Sequence, residues 1–411
     1  MQSSNEESKS LLKNTDFLLF ISSRTFSTLA YQMLAVAVGW HAYFITHSVF
    51  FLGLIGLFQF IPMFLLTIPV GHVADKFNRR LIALSCQVIE TVLVAGLAIS
   101  TMTGHTGKYI LLGVITLLAA ARAFEGPAMQ ALMPALVGEA VFPRAAAWSA
   151  ATFQAASIIG PAAGGLLYAV KPEVVYFTAA FMLLFSAAVL CFIKHEHRLS
   201  PAGPITLTSL FAGIHFIFSR PAILGSISLD LFAVLLGGAT ALLPVYADKI
   251  LFVGPLGLGI LRAAPAAGAL LISFYLARRP VKKRTGYIMF TAVVVFGIAT
   301  IVFAVSRSFW LSLVSLVILG AADVFSVVIR SSLVQIGTPD NMRGRVSAVN
   351  SLFIGTSNQL GEFESGTTAA WFGTVPAVLI GGIGTLIIAG LWMKFFPKLL
   401  NLNTLDKKSL S

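Results

Sequence analysis

Gly71-His72-Val73-Ala74-Asp75-Lys76-Phe77-Asn78-Arg79-Arg80 stands between two long apolar runs, and its reading decides the fold. Gly71 carries no side chain to hold neighbouring helices apart, so a partner can approach closely there. Asp75 and the Arg79-Arg80 pair concentrate charge in a chain that otherwise holds little. On both sides the same arrangement recurs: about 20 apolar residues, the length that crosses hydrocarbon as a helix, then a short polar turn.

Working outward, 57% of the 411 residues are hydrophobic and only 11% are charged, with a mean hydropathy of +0.89. A soluble domain carries roughly 25% charged residues, so this chain uses lipid as solvent. Extended polar segments are confined to residues 1–16, 194–209 and 398–411. The formal net charge of +12 would suggest nucleic acid in a soluble protein. In a membrane chain Lys and Arg hold loops in the cytoplasm, and no nucleic-acid partner is expected. Cys86 and Cys191 offer neither a disulfide framework nor metal spacing. The first apolar run is too long for a signal peptide and lacks a small-residue cleavage site, so it reads as an uncleaved helix.

The apolar runs give spans at 17–44, 50–73, 80–101, 109–133, 145–170, 174–193, 221–247, 255–277, 286–305, 309–332, 346–371 and 374–396. Only helices satisfy every backbone amide in hydrocarbon at these lengths, so an all-α membrane protein of twelve transmembrane helices is expected. With the N-terminus inside, cytoplasmic segments hold twenty of the 28 Lys and Arg, and the opposite face holds Lys108, Lys171, Lys249 and Arg307. That bias places both termini in the cytoplasm.

The two halves also repeat. A shift of about 200 residues lays Tyr43 on Tyr246, Pro62 on Pro265, Arg144 on Arg345 and Gly160 on Gly361. The expected organisation is a six-helix bundle over 1–193, a cytoplasmic linker over 194–220 and a second six-helix bundle over 221–411. Within the linker, 205–218 has the pattern of a short amphipathic helix lying on the cytoplasmic surface.

At the end of a second span, G-x-x-x-D-x-x-x-R-R resembles the signature loop of the major facilitator superfamily. The resemblance implies that Gly71, Asp75, Arg79 and Arg80 form a conformational latch. Asp75 would cap the start of span eleven near Arg343–Arg345 in the outward-facing state, while Arg79 and Arg80 bind nearby acids or lipid headgroups. In span five, Gly160-Pro161-Ala162-Ala163-Gly164-Gly165 resembles the antiporter motif of proton-driven exporters in that superfamily. Pro161 bends the helix, and Gly160, Gly164 and Gly165 permit tight packing, expected against Pro265 and Gly268 of span eight. The strings Gly126–Pro134 and Gln335–Val346 (Q-x-x-T-P-x-x-x-R-G-R-V) resemble exporters of siderophores and macrolides.

Arg122 and Glu125 lie one turn apart on span four, at a depth where an isolated charge is expensive. Burial favours the neutral form of a carboxyl and a neighbouring arginine favours the charged form, so Glu125 is a candidate to carry a proton. Arg122 matches the basic residue that the superfamily links to proton coupling. The alternative is a static pair that only locks helices together. Asp230 in span seven and Asp323 in span ten are further proton-coupling candidates, and the repeat sets Asp323 opposite Arg122. Glu90 is expected to pair with Arg122 or Arg24; Glu362 and Glu364 cannot share one side of their helix. Arg24, Gln32, Gln154, Asn358 and Gln359 supply polar groups suited to a cavity, each of which can equally be an interhelical hydrogen bond.

No metal or cofactor is implied, because the seven His show no ligand spacing. No nucleotide-binding or nucleophile motif occurs, so an enzyme is not expected. The resemblance implies a monomer in the bacterial inner membrane that exports a small organic molecule, a siderophore or hydrophobic drug, in exchange for protons. A lipid flippase on the same fold is the alternative; membrane lipid is the other partner in either case.

Overall fold

The computed structural model describes residues 11–404, apart from Leu12, Glu139–Ala140, His195–Thr206 and Lys282. At Ile68, Ala74, Asp75, Leu207–Leu210, Asp340 and Asn341 only the backbone is described. Among the described residues the chain is helical and contains no strand. The long helices are α1 (Thr15–Thr46), α2 (Val49–Lys76), α3 (Arg79–Met102), α4 (Lys108–Val137), α5 (Phe142–Val170) and α6 (Pro172–Cys191). A short α7 (Leu207–Phe218) precedes α8 (Pro221–Leu236), α9 (Gly254–Arg278), α10 (Thr285–Val305), α11 (Phe309–Gly337), α12 (Asp340–Phe372) and α13 (Thr374–Phe395). Among the described residues, 10 helical segments can cross a membrane by length and composition. Neither α1 nor α12 is among them: both are longer than 30 residues but less apolar.

Local chemistry sets the helix ends. Proline occupies the first turn of α5, α6, α8 and α9, where its missing N–H leaves no helical bond unmade. Asn78 caps α3 by accepting from the Arg80 backbone N–H. Gly138 and Gly373 follow α4 and α12 with positive φ, a conformation open to glycine without steric penalty.

The chain forms two compact units, one of residues 1–45 and 61–204, the other of 46–60 and 205–411. In unit one, α3 packs chiefly on α4 and α6. One end is filled by Phe17, Phe20, Leu132, Met133, Leu190 and Ile193. In unit two, α11 packs on α9 and α10, and α12 and α13 pack on α8. Residues 46–60 fall into unit two, whereas the sequence groups them with the first half. Glycine is the reason: Gly53 and Gly56 bring α2 onto the α12 backbone at Gly366 and Gln359, so closely that any Cβ would collide. In lipid such contacts hold helices together by van der Waals packing.

Two elements depart from expectation. Span seven is not one continuous helix: α8 ends at Leu236, and a 3₁₀ turn (Ala239–Leu242) and a π turn (Tyr246–Ile250) continue it. The consecutive Gly237 and Gly238 give the backbone freedom to leave the helix. The linker helix α7 does not rest only on a surface. Its Gly213 meets the Arg345 carbonyl of α12, and Ile217 joins Ile223, Ile227, Val346 and Val349 in a buried cluster.

Candidate functional site

Unit one buries a polar network at the middle of its helices. Arg122 and Glu125 sit one turn apart on α4 and form an ion pair of 3.0 Å, as their spacing indicates. Glu125 is only 4% exposed, yet its carboxylate is well supplied with donors. One oxygen accepts from Ser27 of α1 (2.9 Å) and Gln87 of α3 (2.8 Å); the other accepts from Arg122. Arg122 also donates to Ser27 at 3.2 Å and stacks over the Tyr31 ring at 4.0 Å. Behind this layer Ser23, Gln87 and Ser186 are mutually within hydrogen-bond distance, tying α1, α3 and α6 together. Four helices thus fix one carboxylate.

Glu90 stands one turn from Gln87 and is 2% exposed. Its Oε1 has no hydrogen-bond partner, and it forms no ion pair with Arg122 or Arg24, contrary to the sequence expectation. Arg122 already faces Glu125. Arg24, on the same side of α1 as Ser27 and Tyr31, makes no side-chain hydrogen bond or ion pair with any described residue. Asp16 accepts from the Lys194 backbone N–H.

Unit two holds a second set. Asp323, Ser326 and Arg330 share a face of α11 at helical spacing, and Arg330 pairs with Asp230 of α8. Arg330 and Asp230 are both buried, at 3% and 5% exposure. A cavity lies between α8, α10 and α11, lined by Asp230, Asp323 and Ser326 among apolar residues such as Val234, Val293 and Phe296. Asp323 makes no hydrogen bond or ion pair with a described residue, so its carboxyl is free to face that cavity. The internal repeat relates the two sets. The shift that matches Tyr43 to Tyr246 lays Ser27 on Asp230; the shift that matches Arg144 to Arg345 lays Arg122 on Asp323 and Glu125 on Ser326. The same three positions carry Ser, Arg and Glu in one unit and Asp, Asp and Ser in the other.

The other sequence candidates take up simpler roles. Gln32 donates to Ser157 at 2.9 Å, an α1–α5 hydrogen bond. Gln154 lies on α5, and Asn358 and Gln359 on α12; Asn358 is exposed and the Gln359 Oε1 is a buried acceptor without a partner. Glu364 accepts from Thr368 at 2.8 Å. Gly160 and Gly164 lie against α1 at Gln32 and Met33, and Pro161 and Gly165 beside them are buried. Pro265 and Gly268, expected as the partners of that string, pack against Gly320 and Val317 of α11.

Gly71 is buried on α2, and the Asp75 side chain lies outside the described residues. Arg79 and Arg80, expected to meet acids or headgroups, donate instead to the carbonyls of Ala131 (3.1 Å) and Cys191 (2.6 Å). Cys191 is the last residue of α6, and a carbonyl at a helix C-terminus has no partner further along the helix, which makes it a natural acceptor for arginine.

Sequence reasoning missed Ser23, Ser27, Tyr31, Gln87 and Ser186. Two signals were available: Gln87 is an amide inside an apolar span, and Arg24, Ser27 and Tyr31 recur at helical spacing.

Residues 9–411 match a major facilitator superfamily model described as transmembrane secretion effector. The enterobactin exporter EntS of Shigella boydii serotype 4 (strain Sb227) is 25% identical over 394 residues, covering 92% of this chain and 91% of that protein. Its counterpart in Citrobacter koseri is 25% identical over 405 residues, covering 95% and 94%. Among solved structures, a bacterial homolog of the human lysosomal transporter Spinster superposes with a TM-score of 0.74 at 13% identity, covering 92% of this chain and 95% of that one. A D-xylose–proton symporter superposes with a TM-score of 0.71 at 12% identity, covering 93% and 98%. The relatives are transporters rather than enzymes. An all-helical chain with ten apolar spans, charged pairs buried inside its helix units and a family match along nearly its whole length is an integral, multi-pass member of the transmembrane secretion effector family of the major facilitator superfamily.

Proposed function

We propose that this protein is a secondary exporter of the inner membrane that exchanges a small organic molecule for protons by alternating access. Its twelve crossings comprise the ten apolar segments together with α1 and α12, and both termini lie in the cytoplasm. The halves 1–193 and 221–411, joined by the 194–220 linker, rock about a mid-membrane site, and one copy of the chain suffices. The observation that carries the reading is the Arg122–Glu125 pair held by Ser27 and Gln87. Protonating that carboxyl breaks its ion pair and loosens the contacts that join α1, α3 and α4. Proton uptake then biases the bundle toward another arrangement, which is what coupling requires. Asp323, facing its cavity in unit two, is the second candidate for a proton, and Asp230 is the third. Asp75 latches the start of α12, as the superfamily signature implies.

The named relatives support a siderophore as cargo. The test uses protein reconstituted in liposomes and enterobactin as probe. An acid-inside gradient should drive enterobactin into the lumen through molecules whose cytoplasmic face points outward. Glu125→Gln should abolish that gradient-driven component while leaving slow downhill exchange. Normal gradient-driven transport by Glu125→Gln, Asp230→Asn and Asp323→Asn alike would exclude the proton assignment. Enterobactin uptake indifferent to any imposed gradient would exclude secondary transport of this cargo.

A further inference from the structure

The polar network of unit one is closed on its buried side and open on the other. Glu125 is satisfied by donors from Ser27, Gln87 and Arg122. The Arg122 side chain nevertheless keeps 29% of its surface exposed, and Tyr31 beneath it is 38% exposed. Arg24 is partly exposed and has no carboxylate partner. Neither arginine has a guanidinium nitrogen that is both buried and unpartnered, so the donors not bonded to Ser27 or Glu125 reach accessible surface. All three residues lie well inside α1 and α4. A charged group exposed at such a depth faces water or another polar group, not lipid tails. This face therefore borders an aqueous path.

What the face displays is specific. Arg24, Ser27 and Tyr31 form one stripe of α1, and Arg122 reaches across from α4 onto Tyr31. Two guanidinium groups stand there; Arg122 pairs with the buried Glu125, and no carboxylate pairs with Arg24. Glu90 is 2% exposed and forms no ion pair with either arginine. The surplus is one cation beside an aromatic ring and a stacked guanidinium. Guanidinium binds carboxylate and phenolate oxygens through paired N–H donors and also stacks on ring faces.

We propose that Arg24, Tyr31 and Arg122 form a binding platform for an aromatic organic anion. Its ring lies on Tyr31 and the Arg122 plane, and its anionic oxygens bond to Arg24 and the free Arg122 donors. The proposal adds a substrate class to the transport reading, but binding is measured without a gradient. Loss of proton coupling and loss of this site are therefore separate outcomes.

The experiment is calorimetric titration of the purified full-length protein in uncharged detergent, with salicylate as probe. Benzylamine supplies the same ring with the opposite charge, and acetate supplies the charge without the ring. Salicylate is expected to saturate the protein at roughly millimolar concentration, as a fragment of that size does, and to bind at least about tenfold more tightly than either control. Arg24→Gln should weaken salicylate by about 10- to 100-fold, the range for a lost charge-assisted hydrogen bond. Tyr31→Leu should weaken it less, and Tyr31→Phe should keep the wild-type affinity because the ring remains. Arg307→Gln, in the other unit, should change nothing. The proposal is overturned by equal binding of salicylate and benzylamine, by unaltered affinity in an Arg24→Gln protein that melts normally, or by no saturable salicylate binding in the wild type. If Arg24→Gln does not fold, Tyr31→Leu against Tyr31→Phe decides: equal affinities in that pair overturn the platform.

Discussion

Asp230 and Asp323 look interchangeable as acids in apolar spans, but their surroundings assign them different work. Asp230 neutralises Arg330, and both are almost fully buried. Removing one partner of such a pair leaves an uncompensated charge and costs about 3–5 kcal/mol. Asp230→Asn should therefore lower the melting temperature sharply, and Asp230→Asn with Arg330→Met should recover most of it. Asp323 holds no ion pair or hydrogen bond among the described residues. Asp323→Asn should melt like the wild type and lose only gradient-driven transport; an equal loss of stability in both asparagine variants would make Asp323 a structural residue. In unit one the corresponding test is Gln87→Leu. It strips from Glu125 a bond to a charged acceptor, worth about 1.5–3 kcal/mol, and should shift unfolding by that order in a denaturant titration. At this scale the sequence was legible where charge was concerned: Arg122 and Glu125 at i, i+3 can reach each other on any helix. The uncharged shell was not. Serine and glutamine in apolar spans are common interhelical glue, and only the fold brings Ser27, Gln87 and Ser186 to the same few ångströms.

At the scale of elements, packing depends on positions where nothing larger than hydrogen fits. At Gly164 an added Cβ would lie 2.8 Å from the Met33 carbonyl oxygen and 2.9 Å from its Cα. Backbone cannot swing aside as a flexible side chain can, so Gly164→Val should push α5 off α1. Overpacking of that kind costs about 1–3 kcal/mol, and the α1–α5 bond from Gln32 to Ser157 should weaken with it. Gly126 meets nothing within 4 Å, so Gly126→Ala should melt at or above the wild-type temperature, and thermal unfolding of the two variants side by side checks both. The spans themselves were readable from apolar length and from Pro and Gly punctuation, because hydrocarbon thickness leaves the backbone little choice. The interruption after Leu236 was not readable. Gly237 and Gly238 sit inside a run whose hydropathy is indistinguishable from that of a continuous helix. What opens the helix there is tertiary: Gly238 lies against the Gly361 carbonyl and the Ser365 hydroxyl, an approach closed to any larger residue. The small-residue string in α5 was likewise visible as a packing surface while its neighbour was not, because many spans offer a surface of matching shape.

For the whole molecule, the quantity that organises everything is the placement of basic residues. On the proposed twelve-crossing topology, twenty of 28 Lys and Arg fall on one side, and the inside preference of such residues is a property of insertion, independent of substrate. The topology can therefore be tested without knowing the cargo. Lys171 and Arg307 are exposed and belong to the sparsely charged face; Arg220 and Arg345 are exposed and belong to the rich one. The chain also supplies internal controls, since Cys191 is exposed at the end of α6 and Cys86 is buried in α3. With Cys191 replaced by serine, a single cysteine at position 171 or 307 should react with a membrane-impermeant maleimide on intact spheroplasts. A cysteine at 220 or 345 should react only after permeabilisation, as should the native Cys191, while Cys86 stays unreactive until the protein is denatured. All four probed positions lie between α1 and the bulk of α12, so they do not report whether those two helices cross, and these are the two whose composition alone does not qualify them. A tag at the N-terminus and one at the C-terminus, both protected from external protease, complete the test. If either tag is digested on intact spheroplasts, one long polar helix does not cross, the halves cannot be parallel repeats, and the rocking mechanism loses its geometric basis.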